Sequence, residues 1–164
     1  MKKIIGLIPT RLMSKRLKKK ALLMLDGLPL IVHTYRRALI SKKIDDVYVC
    51  TDSSKIIGIL KKYKCKYIKT KKNFYNGTDR IASVCNKFTN VKFFVDIQGD
   101  EPLLNPNDID NVIKFHSKNN NFDIVVRKDG PSFDDMGIVI KNLYEVKELI
   151  WKEALIWRWE RWDN

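Results

Sequence analysis

The hydrophobic positions of this chain fall into short runs separated by amphipathic stretches. Runs rich in β-branched and aromatic residues predict strands: "KIIGLIP" (3–9), "DVYVCT" (46–51), "CKYIKT" (65–70), "KFFVDIQ" (92–98) and "FDIVVR" (122–127). Helical spacing marks the stretches between them: "LIVHTYRRALISKK" (30–43), "SSKIIGILKKYK" (53–64), "TDRIASVCNKF" (78–88) and "PNDIDNVIKFHSK" (106–118). Asp52 is the expected N-cap of the second helix and Thr78 of the third. Asn105 is that of the fourth, ahead of Pro106, with Asp108 in the first turn. Strands alternating with helices of this length imply right-handed βαβ units and a mostly parallel sheet covered on both faces, an α/β fold. Ligands of such sheets bind beyond the carboxyl ends of the strands. The loops after Pro9, Thr51 and Gln98 are therefore expected to meet in one crevice.

Composition narrows the classes. With 164 residues, 45% of them hydrophobic and 31% charged, the chain has the makeup of a globular domain and not of a disordered one. No apolar run is long enough to cross a bilayer, so no stable membrane insertion is expected. The opening "MKKIIGLIPTR" has a charged start but too short an apolar part for a signal peptide. A cytoplasmic location is the expectation. Three cysteines without close spacing, Cys50, Cys65 and Cys85, read as free buried thiols. His33 and His116 have no second ligand nearby and read as packed or surface residues.

The formal charge of +13 raises a basic nucleic-acid-binding domain as one reading, which predicts steeply salt-dependent binding with no need for an acidic site. Lysine is used far more than arginine, and asparagine is abundant, as at Asn119, Asn120 and Asn121. Lysine enrichment of that kind is more often a solvated face, so the favoured reading has no nucleic-acid partner.

Three segments carry chemistry. After the first strand, "PTRLMSKRLKKKALL" (9–23) holds Arg11, Lys15, Arg16, Lys18, Lys19 and Lys20, and its cations converge on the crevice. Guanidinium forks and ammonium point charges suit a triphosphate, although the glycines of a Walker loop are absent. In "VDIQGDEPLL" (95–104), Asp100 would point into the same crevice, where a magnesium ion gives its carboxylate a partner. Gly99 permits close backbone approach, and Pro102 fixes the exit of the chain. In "YNGTDRI" (75–81), Arg80 falls in a first helical turn, where a cation opposes the helix dipole, and an outside anionic or polar partner is expected for it.

"IPTRLMSKRLKKKAL", "GLPLIVHTYRRA", "VYVCTDS", "NGTDRIA" and "VDIQGDEPLL" occur in order over roughly residues 3–115. Together they resemble the 3-deoxy-manno-octulosonate (KDO) cytidylyltransferases, the CMP-KDO synthetases. The resemblance implies a GT-A-like nucleotidyltransferase fold, a three-layer αβα sandwich around a mostly parallel sheet. It implies transfer of CMP from CTP to the anomeric hydroxyl of a KDO-type sugar acid with release of pyrophosphate, a step of lipopolysaccharide biosynthesis. By the same resemblance Arg11 and Lys20 hold the CTP phosphates, Ser14 and Arg16 line that loop, and Asp100 binds Mg2+. Gln98 orients nucleotide or sugar, and Thr51 and Arg80 lie near them. A homodimer is one assembly the resemblance allows.

The chain departs from the family pattern where Lys18-Lys19-Lys20 replaces Pro-Gly-Lys, and where Thr10 and Met13 replace small alanines. Members of the family are longer, so truncation at the C-terminus is an expectation, and with it a member that at most binds CTP. Residues 1–128 are read as the nucleotide-binding domain and 129–164 as an atypical segment holding all four tryptophans. Asp134 and Asp135 lie there in an unmatched context. Val146, Leu149, Ile150 and Trp157 fall near one helical face.

Overall fold

The computed structural model describes residues 2–13, 17, 19–72, 74–118, 124–126 and 138–140. Its centre is β1 (Lys3–Pro9), the "KIIGLIP" run, whose last five residues are buried. On one side it pairs in parallel with β4 (Asp46–Thr51), on the other with β6 (Val91–Asp96). β5 (Tyr67–Lys69) extends the sheet beyond β4, also in parallel. Beyond β6, β8 (Ile138–Ile140) adds antiparallel, and β7 (Ile124–Val126) follows, antiparallel to β8. The sheet order is thus β5-β4-β1-β6-β8-β7. The mostly parallel α/β sheet expected from the strand–helix alternation is present.

Strand periodicity decides which helix goes where. Side chains of successive residues point to opposite faces. Ile8, Val47, Val49, Phe93, Val95 and Ile97 face one layer, with α1 (Leu30–Ala38), α2 (Ser54–Lys62) and α4 (Pro106–Lys118) over them. Ile5, Leu7 and Cys50 face the other, under Ile81, Val84 and Cys85 of α3 (Gly77–Cys85). The α3 side is the thinner layer, closed at its rim by edge-to-face contacts of Phe88 with Tyr48 and Phe94 at 5.2 and 5.7 Å between ring centres.

Local signals set several boundaries differently from expectation. α1 stops at Ala38 because residues 41–43 are drawn sideways to α4. The Asp110 carboxylate accepts the Ser41 hydroxyl at 2.6 Å and the Lys42 and Lys43 N–H groups at 3.2 and 3.1 Å. The N-cap of α2 is Ser53, whose hydroxyl accepts the Ile56 N–H, and not Asp52. The N-cap of α3 is Asn76, accepting the Asp79 N–H at 2.7 Å, and not Thr78. Asn105 does precede α4 as expected, its side chain accepting the Asn107 N–H at 3.1 Å. A short hairpin, β2 (Met24–Leu25) with β3 (Leu28–Pro29), was not anticipated. Its turn residues Asp26 and Gly27 both have positive φ, 44° and 75°, the type I′ geometry that an Asp-Gly pair favours. His33 Nε2 donates to the Leu25 carbonyl at 2.6 Å and holds this hairpin to α1.

The expected boundary at residue 128 and the tryptophan-bearing tail lie outside the described residues, as do Asp134 and Asp135. β8, which comes from beyond residue 128, joins the same sheet.

Leu7 is fully buried at the centre of the α3-side cluster. Leu7→Ala is expected to lower unfolding free energy by about 2–5 kcal/mol. Urea titration of both proteins reads this directly, and a loss below about 1 kcal/mol would mean that α3 does not pack on β1 as described.

Candidate active site at the carboxyl edge of the sheet

The crevice is organised around Pro9, the last residue of β1. The chain after it is held to β4 by the Thr10 N–H, which donates to the Cys50 carbonyl at 3.0 Å. On the other side, the Ile97 N–H donates to the Leu7 carbonyl at 2.9 Å, carrying the pairing one residue past the end of β6. The following loop then folds back so tightly that a Cβ on Gly99 would lie 2.9 Å from the Pro9 carbonyl oxygen. The close approach that requires glycine here is thus to the chain's own backbone. At the start of α3, a Cβ on Gly77 would lie 3.0 Å from the Pro9 ring. Two further contacts from α1 brace the 99–104 loop. Arg37 Nε donates to the Leu104 carbonyl at 2.8 Å, and the buried Thr34 hydroxyl lies 3.4 Å from the Gly99 carbonyl oxygen.

Asp100 is the half-exposed tip of that loop. Its Oδ2 lies 2.5 Å from Lys20 Nζ, with 48% and 38% of the two side chains exposed. Lys20 opens a 3-10 turn (Lys20–Leu22) whose buried Ala21 anchors it on the α1 layer. Eighty positions apart in sequence, these two residues come together. Arg11 is exposed just past β1, and Gln98 is half-buried between β6 and Asp100. Ser14 and Arg16 lie outside the described residues, as do Lys15 and Lys18.

Thr51 and Arg80 sit deeper. Thr51 is fully buried, and its hydroxyl accepts the Ser53 N–H at 3.2 Å. Arg80 is 5% exposed, and its anionic partner comes from within the chain: Nη1 lies 2.8 Å from Asp52 Oδ1. The same guanidinium donates to the Thr70 hydroxyl and lies over the Phe74 ring, 5.4 Å from its centre. Asp52 pairs with this cation, while the helix-capping role falls to Ser53.

Asp96 is a residue of this edge that sequence reasoning did not single out. It occupies the last position of β6 on the α3 side, is 1% exposed, and neither carboxylate oxygen has a hydrogen-bond partner of ordinary geometry among the described residues. Burial pushes its carboxyl from the ordinary 3.8 up to about 7; the Thr78 hydroxyl pulls it partly back, and the Glu101 carboxylate adds to the rise. The available signal was an acidic residue in the inward register of an otherwise apolar strand.

The three thiols are free and buried. Burial pushes Cys50 and Cys85 up to about 12, so neither is a nucleophile. His116 is buried against Phe93, their rings 5.0 Å apart. Among the described residues no group of three His, Cys, Asp or Glu side chains is placed to hold a metal. Among the described residues the exposed carboxylate at this edge is that of Asp100. That donor set fits magnesium, which takes one or two carboxylates and completes its shell with water and phosphate oxygens. No helix among the described residues is long and apolar enough to cross a membrane.

Comparison with known proteins shows the family. A family model described as cytidylyltransferase matches residues 5–153. The 3-deoxy-manno-octulosonate cytidylyltransferase of Chloroherpeton thalassium is 42% identical over 111 residues, which cover 68% of this chain and 45% of that protein. The chain spans about half the length of the curated relatives it matches. A solved structure of CMP:2-keto-3-deoxy-manno-octonic acid synthetase complexed with CTP superposes with a TM-score of 0.72 at 31% identity, covering 76% of this chain and 51% of the other. A cytidylyltransferase from Leptospira borgpetersenii shares the fold, with a TM-score of 0.75 at 20% identity over 91% of this chain and 64% of its own.

Asp96 makes stability depend on pH. The unfolded chain releases this proton near pH 4 and the folded chain near 7, so between them the folded state binds more protons and stability falls as pH rises. Asp96→Asn is expected to remove that slope and to raise unfolding free energy at pH 8 by on the order of 2 kcal/mol. Urea titrations of both proteins at pH 5 and pH 8 read it; equal slopes would mean that Asp96 finds a compensating partner.

Proposed function

The chain belongs to the cytidylyltransferase family, and from that membership we propose that it carries the nucleotide-binding half of an enzyme that transfers CMP from CTP to a 3-deoxy-manno-octulosonate-type sugar acid. The observation that carries the reading is the meeting of Lys20 and Asp100 at the carboxyl edge of β1 and β6. A cation for phosphate and a hard carboxylate for a metal stand side by side in a shallow, half-exposed position. The 31% identical structure complexed with CTP supports the nucleotide, and the 42% identical relative supports the sugar acid.

In this mechanism Lys20 and the exposed Arg11 bind the triphosphate, with Ser14 and Arg16 from the same loop. Magnesium, when bound, supplies charge neutralisation on the phosphates, and Asp100 would hold it. Gln98, half-buried beside the loop, orients nucleotide or sugar. The Arg80–Asp52 pair and Thr51 form the wall behind them, fixing the ends of β4 and α3 against the ligand. The anomeric hydroxyl of the sugar acid attacks the α-phosphorus in line and gives up its proton to water, and the bond to pyrophosphate breaks as the new one forms. No side chain is needed as a covalent carrier; positioning and charge stabilisation suffice. A cytoplasmic setting and a place in lipopolysaccharide assembly belong to the same reading.

A second reading, a chain that binds CTP without turning it over, is favoured by the Lys18-Lys19-Lys20 run, which lacks the glycine of the family pattern. Pyrophosphate release separates the two. The 164-residue protein with CTP, KDO and magnesium is expected to release pyrophosphate, and Asp100→Asn to lose about 100-fold or more. A folded protein that binds CTP and releases none would establish the second reading.

A further inference from the structure

Resting on the proposed nucleotide site, we propose that the Lys20–Asp100 pair makes this site selective for the cation–nucleotide complex over either component alone. The group expected to hold phosphate and the group expected to hold the cation are each other's partner, 2.5 Å apart. A free triphosphate must pull Lys20 away and leave Asp100 as a like charge beside it. A free divalent cation must pull Asp100 away and leave Lys20 as a like charge beside it. Only the complex answers both at once: its phosphates take the ammonium while its metal takes the carboxylate. One ion pair is exchanged for two.

The geometry suits such an exchange. Each partner stands on an anchored base but has a free tip. Ala21 buries the turn that carries Lys20, and Arg37, Thr34 and Pro9 hold the loop that carries Asp100. Both side chains are 38–48% exposed, so the pair is solvent-screened and weak enough to open. The contrast with Arg80–Asp52 is plain. There the guanidinium is 6% exposed and is held additionally by Thr70 and Phe74. That pair is built to stay closed.

The test uses the full chain and binding alone, with no turnover. Isothermal titration calorimetry measures CTP in the presence of a chelator, and Mn2+ electron paramagnetic resonance measures the cation without nucleotide. Asp100→Asn is expected to tighten metal-free CTP by about two- to five-fold, since Lys20 is set free. Lys20→Met is expected to tighten Mn2+ alone by a similar factor. In the Lys20→Met background, Asp100→Asn is expected to give a clearly smaller gain for metal-free CTP, since only the direct like-charge repulsion is left to relieve.

If that gain persists undiminished in the Lys20→Met background, Asp100 acts by direct repulsion and the exchange is overturned, while the nucleotide site itself stands. If neither CTP nor its Mn2+ complex binds the unaltered chain, the functional reading falls and the exchange with it. Because both side chains are substantially exposed, the variants keep the fold, and urea titration of each verifies it.

Discussion

The site depends first on how closely two backbone segments approach one proline. Pro9 ends the central strand; the loop after β6 comes so close that a Cβ at Gly99 would clash with the Pro9 carbonyl, and the start of α3 so close that one at Gly77 would crowd the Pro9 ring. Without that contact the 98–104 loop would stand away from β1, and Asp100 could not meet a lysine on the turn that follows. The hydrogen bonds of Thr10 to β4 and of Ile97 to β1 are consistent with it, since they carry the sheet pairing just past the strand ends. Steric closeness at one point thus converts a parallel sheet into a crevice with defined walls.

Four carboxylates near this edge meet four fates, set by depth. Asp100 is nearly half exposed and pairs with the Lys20 ammonium at the surface. Asp52, a quarter exposed, holds a buried guanidinium permanently. Asp96 is buried beside the Thr78 hydroxyl, and burial pushes its proton affinity up until it is neutral over part of the physiological range. Asp110, one layer away, is spent on backbone N–H groups and fixes where α1 ends. The same chemical group is a surface ion pair, a strut, a proton store or a clasp according to the solvent and partners that the fold leaves it.

α1 links these parts. Its apolar face packs on the sheet through Ile31, Val32, Tyr35 and Ala38. Its polar residues reach outward, His33 to the hairpin and Arg37 to the loop of Asp100. The "GLPLIVHTYRRA" stretch is part of the recognisable pattern although it offers no obvious chemistry. Its function here is to hold the segments that do.

The sequence by itself determined the strands and helices that alternate, because periods of two and of 3.6 leave their mark on every buried run. It also pointed to the carboxyl edge of the sheet, and to Arg11, Lys20, Gln98 and Asp100 there, through a basic loop and an acidic turn that follow strands. Tertiary structure alone decided the pairings. Nothing local tells Asp52 to leave a helix cap for Arg80, or Arg80 to find its anion within the chain, because both outcomes depend on β4 and α3 lying side by side. The register of Asp96 was legible in its strand, but its burial was settled only when α3 covered it. The meeting of Lys20 with Asp100 across eighty positions required the whole sheet, since a long-range contact exists only once the core has fixed both ends.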